Sequence, residues 1–265
     1  MALTHEDRIR IAETLAKRDE EQTDLEKELS VPVRKSNEMI QKNRYSLSLR
    51  EQRLLLYCIS KIRPDDEGNK RYKIKIRDAT RICSITDKKI GGKVYDNVFD
   101  AFSKLRDNGF TIYTSKGRAR VAFIDNPEQD GEGNIEFNFN SYVVPYLFQV
   151  KKCFTQYDLG IAVKMRSVYG IRLYELLKSY QNLHDKTFTL EELRERLGAE
   201  EKSYQEKYGL FRKYVLEPAL KDIEDTDIRV SYVEIKEGRK IAKIQFIITE
   251  DRIGYLEKQG AFDYE

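Results

Sequence analysis

Cysteine and histidine are scarce in this 265-residue chain. Cys58, Cys83 and Cys153 lie far apart, with no Cys-x-x-Cys pair. That spacing indicates neither a disulfide framework nor a zinc ribbon, and it suits a reducing compartment. The two histidines are His5, in a charged segment, and His184, in a loop after a helix. Neither has a partner at metal-ligand spacing, and the His-x-His pair of a nicking enzyme is missing. Long apolar runs are also lacking: none approaches the ~18 residues of a membrane span. The opening MALTHEDRIR carries charges where a secretory signal would be apolar. No phosphate loop occurs, since Gly91-Gly92-Lys93 lacks its first glycine and its closing Ser/Thr. No nucleophile elbow is found either. Acid pairs such as Glu191/Glu192 and Asp65/Asp66 read as helix-start and loop residues. The expectation is a soluble protein of a reducing compartment with no catalytic residues, no cofactor and no metal.

What the chain has is charge and a usable core. Hydrophobic residues make up 40% and charged residues 35%, with 17 Tyr and 12 Phe, so whole-chain disorder is not expected. The net charge of +3 is unevenly spread. Residues 1–30 hold five Lys/Arg and nine Asp/Glu, a net of −4, which leaves +7 for the rest. Basic residues cluster twice, at Lys104, Arg106, Lys116, Arg118 and Arg120, and at Lys236, Arg239, Lys240 and Lys243. Such clusters indicate nucleic-acid binding only if they share a face.

The charged arm, residues 1–30, reads as a marginal helix or a disordered segment, and Val31-Pro32 ends it. Ser48-x-x-Glu51 is a capping box opening a core helix through Leu54 to Ile59. Tyr72, Ile74 and Ile76 alternate with lysines as in a half-buried strand. A short helix follows over 78–83. Thr86 is then expected to cap a longer one carrying Ile90, Val94, Val98, Phe102 and Leu105. A hairpin comes next: 110–114, a turn at Ser115-Lys116-Gly117-Arg118, and 119–124. An acidic glycine-rich loop (125–133) and a strand (135–139) complete the first half. The second half predicts a helix over 164–183, an extended segment at Phe188, and a helix capped by Thr189-x-x-Glu192. A long helix capped by Ser203-x-x-Glu206 follows, kinked at Pro218. Strands 228–235 and 241–248 flank the turn Lys236-Glu237-Gly238-Arg239.

Each half thus reads helix, short strand, short helix, long helix, hairpin. That is the order of a winged helix, and it occurs twice. The fold class expected is α+β: two tandem winged-helix domains, 31–150 and 151–250, with the arm before them and a tail over 251–265. In such a unit the start of the second helix enters the major groove and the wing lies beside the duplex. The candidate contacts in the second unit are Ser203, Tyr204, Gln205, Lys207, Arg212 and Lys213 on the helix, with Lys236, Arg239 and Lys240 on the wing. Those in the first are Lys88, Lys89 and Lys93 on the helix, with Lys116, Arg118 and Arg120 on the wing. Arginine can grip a guanine edge and glutamine an adenine edge. Tyr204 and Tyr208 read equally as core or contact residues. A winged helix also serves as a protein-interaction module, so the fold alone does not decide function.

Several segments resemble one family. Val33 to Ile40 (VRKSNEMI) followed by Tyr45 to Leu54 (YSLSLREQRL) is similar to the opening motif of the iteron-binding replication initiators (Rep proteins) of theta-replicating bacterial plasmids. Tyr169 to Tyr180 (YGIRLYELLKSY) resembles the first helix of that family's second domain. Phe211 to Leu220 (FRKYVLEPAL), Thr226-Asp227 and Lys236 to Arg239 resemble its recognition helix and wing. The resemblance implies two winged-helix domains related by a pseudo-twofold. It implies monomers that bind directly repeated sites in double-stranded DNA and open the origin, and dimers that repress their own promoter at an inverted repeat. The second domain would be the main reader; the first would dimerise and add weaker DNA contacts. A host initiator and the replicative helicase would be further partners, and no membrane is implied. A winged-helix repressor with no initiation role has the same binding chemistry. The acidic arm departs from the family pattern, which begins near residue 33.

Overall fold

The computed structural model describes residues 22–84, 94–114 and 117–251. Lys88, Lys89, Lys93 and Lys116, with the Thr86 cap, lie outside the described residues, as do most of the arm and of the tail.

The first unit opens earlier than the Val31-Pro32 break predicts. Residues 22–29 are helical, and Leu25 and Leu29 pack on the core. Glu28 accepts hydrogen bonds from the Tyr57 hydroxyl (2.9 Å) and Lys61 Nζ (2.8 Å). Strand β1 (Pro32–Ser36) and helix α1 (Asn37–Lys42) follow, the helix capped by Ser36, whose hydroxyl accepts from the Met39 N–H at 3.1 Å. The Ser48/Glu51 capping box forms as the sequence predicts and opens α2 (Leu49–Ser60). Nearly every α2 side chain is buried, the polar Gln52 and Arg53 included. Strand β2 (Arg71–Lys75) alternates buried and exposed, and α3 (Ile76–Cys83) starts two residues before its expected place. Helix α4 (Val94–Asp107) leads into the hairpin of β3 (Phe110–Thr114) and β4 (Gly117–Val121).

Two expectations fail here. The strand 119–124 is divided: β4 ends at Val121, and buried Phe123 forms a corner, its N–H bonded to the Leu105 carbonyl. The chain then enters a different sheet. The acidic 125–133 stretch is largely strand β5 (Ile124–Gln129), paired with β6 (Asn134–Phe139) in the order β2–β6–β5. Pro127 is tolerated because β5 is an edge strand and its register shifts between Asp125 and Glu128. The acid charge is met across the sheet. Arg71 bonds Glu128 (2.6 Å) and Glu136 (2.9 Å), and Lys73 pairs with Asp130 (2.9 Å).

The second unit is tied to the first by main chain. After α5 (Val144–Leu147), β7 (Phe154–Asp158) pairs antiparallel with β1, Pro32 opposite Asp158. The boundary expected between 150 and 151 therefore falls just before a strand shared with the first unit. Helix α6 (Leu159–Val163) then leads to α7 (Val168–Lys178), capped by Ser167. This replaces the single helix expected over 164–183, which stops short at Lys178 and resumes as a 3-10 turn, Gln181–Leu183. Strand β8 (Asp185–Thr189) and α8 (Leu190–Leu197) follow; Thr189 accepts from the Glu192 N–H at 3.1 Å.

The recognition-type helix departs most from expectation. Ser203 does not cap it. A short α9 (Lys202–Glu206) begins after Glu201, and Lys207 is extended at φ −125°, breaking the helix there. The chain continues as α10 (Tyr208–Phe211), a π turn (Arg212–Leu216) and α11 (Glu217–Ile223). The expected kink at Pro218 takes the form of that π turn. Proline has no N–H for the preceding turn, and the wider π geometry, with the Glu217 N–H reaching back to the Arg212 carbonyl, relieves the crowding. Strands β9 (Ile228–Glu237) and β10 (Lys240–Glu250) form the long wing, in a sheet of order β8–β10–β9. Gly238 turns it at φ +65°, a conformation glycine adopts without strain.

A buried charge cluster lies where β1, β7 and α7 meet. Lys35 Nζ bonds both Glu175 oxygens, at 2.6 and 2.9 Å, with both side chains almost wholly out of solvent. The Tyr157 hydroxyl donates to the same carboxylate. Burial first, and then that carboxylate, push the Tyr157 phenol well above its ordinary pKa. Arg172 reaches Glu175 at 3.7 Å and donates to the Tyr45 hydroxyl at 2.8 Å.

Candidate nucleic-acid interface

The surface of interest is built from α9, α10 and the π turn on one side and the β9–β10 wing on the other. Alternation along β9 turns Ile228, Val230, Tyr232 and Glu234 toward the helices, and Val230 and Tyr232 pack on the core. The Tyr208 hydroxyl donates to Glu234 Oε1 at 2.5 Å, and Arg212 NH1 lies 3.7 Å from the same oxygen. Glu234 sits two residues before the wing tip. The helix start and the tip-ward half of β9 are therefore in contact and share one side of the unit.

The predicted residues divide by what they touch. Tyr208 and Tyr204 are half-buried and pack against the core. Burial, reinforced by Glu234, raises the Tyr208 pKa, so the phenol stays protonated. Gln205 is exposed and donates one hydrogen bond from Nε2 to the Ala199 carbonyl at 2.9 Å, which leaves its Oε1 and second N–H for other partners. Ser203 is half-buried, and Lys207 is exposed at the break between α9 and α10. Arg212 is exposed but engaged: Nε donates to Glu217 Oε1 at 3.0 Å. Lys213 is exposed and stands 5.1 Å from the Tyr214 ring centroid, a cation–π contact. At the tip Lys236, Arg239 and Lys240 are all exposed, while Lys243 pairs with Glu237 at 3.0 Å.

The first wing reaches the second unit. Arg118 and Arg120, exposed on β4, line a cleft of about 460 Å³ with Arg44, Glu195 and Glu200. An Arg44–Glu195 ion pair closes one side of it. Glu200 immediately precedes the Glu201–Lys202 start of α9, so the first wing abuts the segment that leads into the second reader. Sequence reasoning missed Arg44, Glu217 and Glu234. Glu234 had a legible signal, since it shares the strand parity of Val230 and Tyr232. Arg44 had none, because its partner is supplied by a distant helix.

The repeated helix, strand, helix and wing define a tandem winged-helix protein with cationic wing edges. The family model "Initiator Replication protein, WH1" matches residues 32–178, and "Initiator Rep protein, WH2" matches residues 189–248. The chain belongs to the initiator Rep protein family. A replication initiation protein of Escherichia coli is 27% identical over 241 residues, covering 83% of this chain and 70% of its own. An uncharacterised 27.6 kDa protein of Escherichia coli is 27% identical over 218 residues, covering 76% of this chain and 89% of its own. The fold is similar to that in the crystal structure of Pi initiator protein in complex with iteron DNA. That match has a TM-score of 0.64 and 20% identity, and covers 84% of this chain and 98% of the other. Among the described residues, no helix is long and apolar enough to cross a membrane.

Proposed function

We propose that this chain initiates replication of a plasmid by binding repeated sites in double-stranded DNA. The second winged-helix domain reads base edges from the Lys207–Arg212 segment, and the exposed Lys213, Lys236, Arg239 and Lys240 grip phosphate. Arg118 and Arg120 add contacts from the first domain. The contact of Tyr208 and Arg212 with Glu234 carries this reading, because it sets helix start and wing side by side on one face. The solved relative with iteron DNA supports the choice of ligand. On this reading the chain needs no catalytic chemistry and works in the bacterial cytoplasm. As a monomer on direct repeats it opens the adjacent duplex and recruits the host initiator and helicase. As a dimer on an inverted repeat it represses its own promoter. A footprint on the DNA flanking its gene tests the proposal: protection of directly repeated sites is expected, and a uniform or absent footprint sinks it. A plasmid carrying the gene and those repeats then separates initiator from simple repressor, since only the initiator sustains replication.

A further inference from the structure

Arg212 is the one predicted base-reading arginine on the recognition helix, and it is not free. Its Nε is held by Glu217 at 3.0 Å, and its NH1 lies 3.7 Å from Glu234, which the Tyr208 hydroxyl fixes in place at 2.5 Å. One guanidinium between two carboxylates makes a patch of net charge −1 on a face otherwise suited to DNA. An arginine left bare there would bind whatever phosphate it met and would strengthen binding to every sequence alike. Flanked in this way on the surface, it presents a net-negative patch to phosphate, and like charges at close range are unfavourable. A guanine edge carries acceptors but no net charge, so it can take the terminal nitrogens without that penalty. The Nε–Glu217 bond also fixes the plane of the guanidinium fork, and a fixed fork suits bidentate recognition.

On these contacts we propose that Glu217 and Glu234 are specificity-determining residues: they reserve Arg212 for a base edge and deny it to the phosphate backbone. This rests on the DNA-reading role assigned above. Phosphate contact falls instead to Lys213 and the wing-tip lysines, which have no such enclosure. Selectivity is then set partly by what the face repels, as in other discriminating interfaces.

The test measures binding to two duplexes: one protected in the footprint and one of equal length with its sequence shuffled. Glu217→Gln and Glu234→Gln are compared with the wild type at several salt concentrations, each also in an Arg212→Ala background. Each Gln variant is expected to bind the shuffled duplex about 3- to 10-fold more tightly, with a smaller ratio between the duplexes. Its salt dependence should steepen as Arg212 gains a phosphate. In the Arg212→Ala background the gain should be clearly smaller, since only the loss of one negative charge remains and no arginine is released to phosphate. Unchanged affinity for the shuffled duplex overturns the inference. So does an equal gain without Arg212, which would mean only a general change of charge. Should the wild type itself fail to distinguish the duplexes, the DNA-reading role falls, and this inference with it. A discriminating wild type with unresponsive variants sinks this inference alone.

Discussion

At the scale of single residues, the buried Lys35–Glu175 pair shows how much one charge can depend on its partner. Replacing one member of a buried pair leaves the other uncompensated, which costs about 3–5 kcal/mol. Glu175→Gln should therefore lower the unfolding free energy by about that amount in urea titrations. A loss under about 1 kcal/mol would mean that water or Tyr45 compensates Lys35. Asp66 bears on pH instead. Burial alone would raise its pKa, but the Arg63 N–H, Lys70 at 2.5 Å and the Tyr72 hydroxyl at 2.8 Å bring it below the ordinary 3.8. A carboxyl with a depressed folded pKa adds stability above its unfolded value, and that stability is lost as pH falls through the folded one. The wild type should therefore lose stability below about pH 4 more steeply than Asp66→Asn. Parallel pH profiles for the two would show that Asp66 has no part in the acid sensitivity.

At the scale of elements, the junction of α7 and α11 depends on a missing side chain. The Asp222 carboxylate on α11 accepts the N–H groups of Arg166 (3.1 Å) and Ser167 (2.7 Å) at the start of α7. Gly170 lets the two helices approach: a Cβ there would stand 2.5 Å from Asp222 Oδ2 and 3.0 Å from its Cβ. Gly170→Ala should push Asp222 off both donors and destabilise by about 1–3 kcal/mol, read as a lower urea midpoint. An unchanged midpoint would show that Asp222 moves without loss. Capping and periodicity made many elements legible in advance. The Ser48/Glu51 box, the alternating β2 and the wing around Gly238 all follow from neighbours in sequence. Ser203 misled for the same local reason: the motif is present, but the chain places its turn at Glu201 and breaks at Lys207. Asp125 to Gly133 misled through composition, because two of its acids, Glu128 and Asp130, are met by Arg71 and Lys73 from a strand far back in the chain.

At the scale of the whole molecule, affinity and selectivity should separate. Lys236 and Lys240 stand exposed at the wing tip without a carboxylate partner among the described ion pairs, whereas Arg212, also exposed, is flanked by two carboxylates. Lys236→Ala together with Lys240→Ala should weaken binding to specific and shuffled duplexes alike. The slope of log affinity against log salt should shrink by about 0.9 for each phosphate that is no longer neutralised. A change confined to the specific duplex would make the wing a base reader. The candidate face was partly legible: the basic wing and helix start could be named from spacing, and contact through Glu234 joins them. The enclosure of Arg212 and the Arg44–Glu195 closure of the first wing's cleft could not be, because each depends on side chains from separate elements.

By itself the chain of residues determined the repeated order of helix, strand and hairpin, the charge on each wing and the membership signalled by its motifs. These depend on interactions among near neighbours, whose period and capping chemistry can be read along the chain. Only the tertiary structure decided which charges are spent inside the protein and which face outward. Lys35 meets Glu175 across 140 positions, and Arg34, one residue earlier, bonds Gln156 on the opposing strand across 122. Packing alone sets such distances, and a lysine bound for the core looks no different in sequence from one bound for solvent.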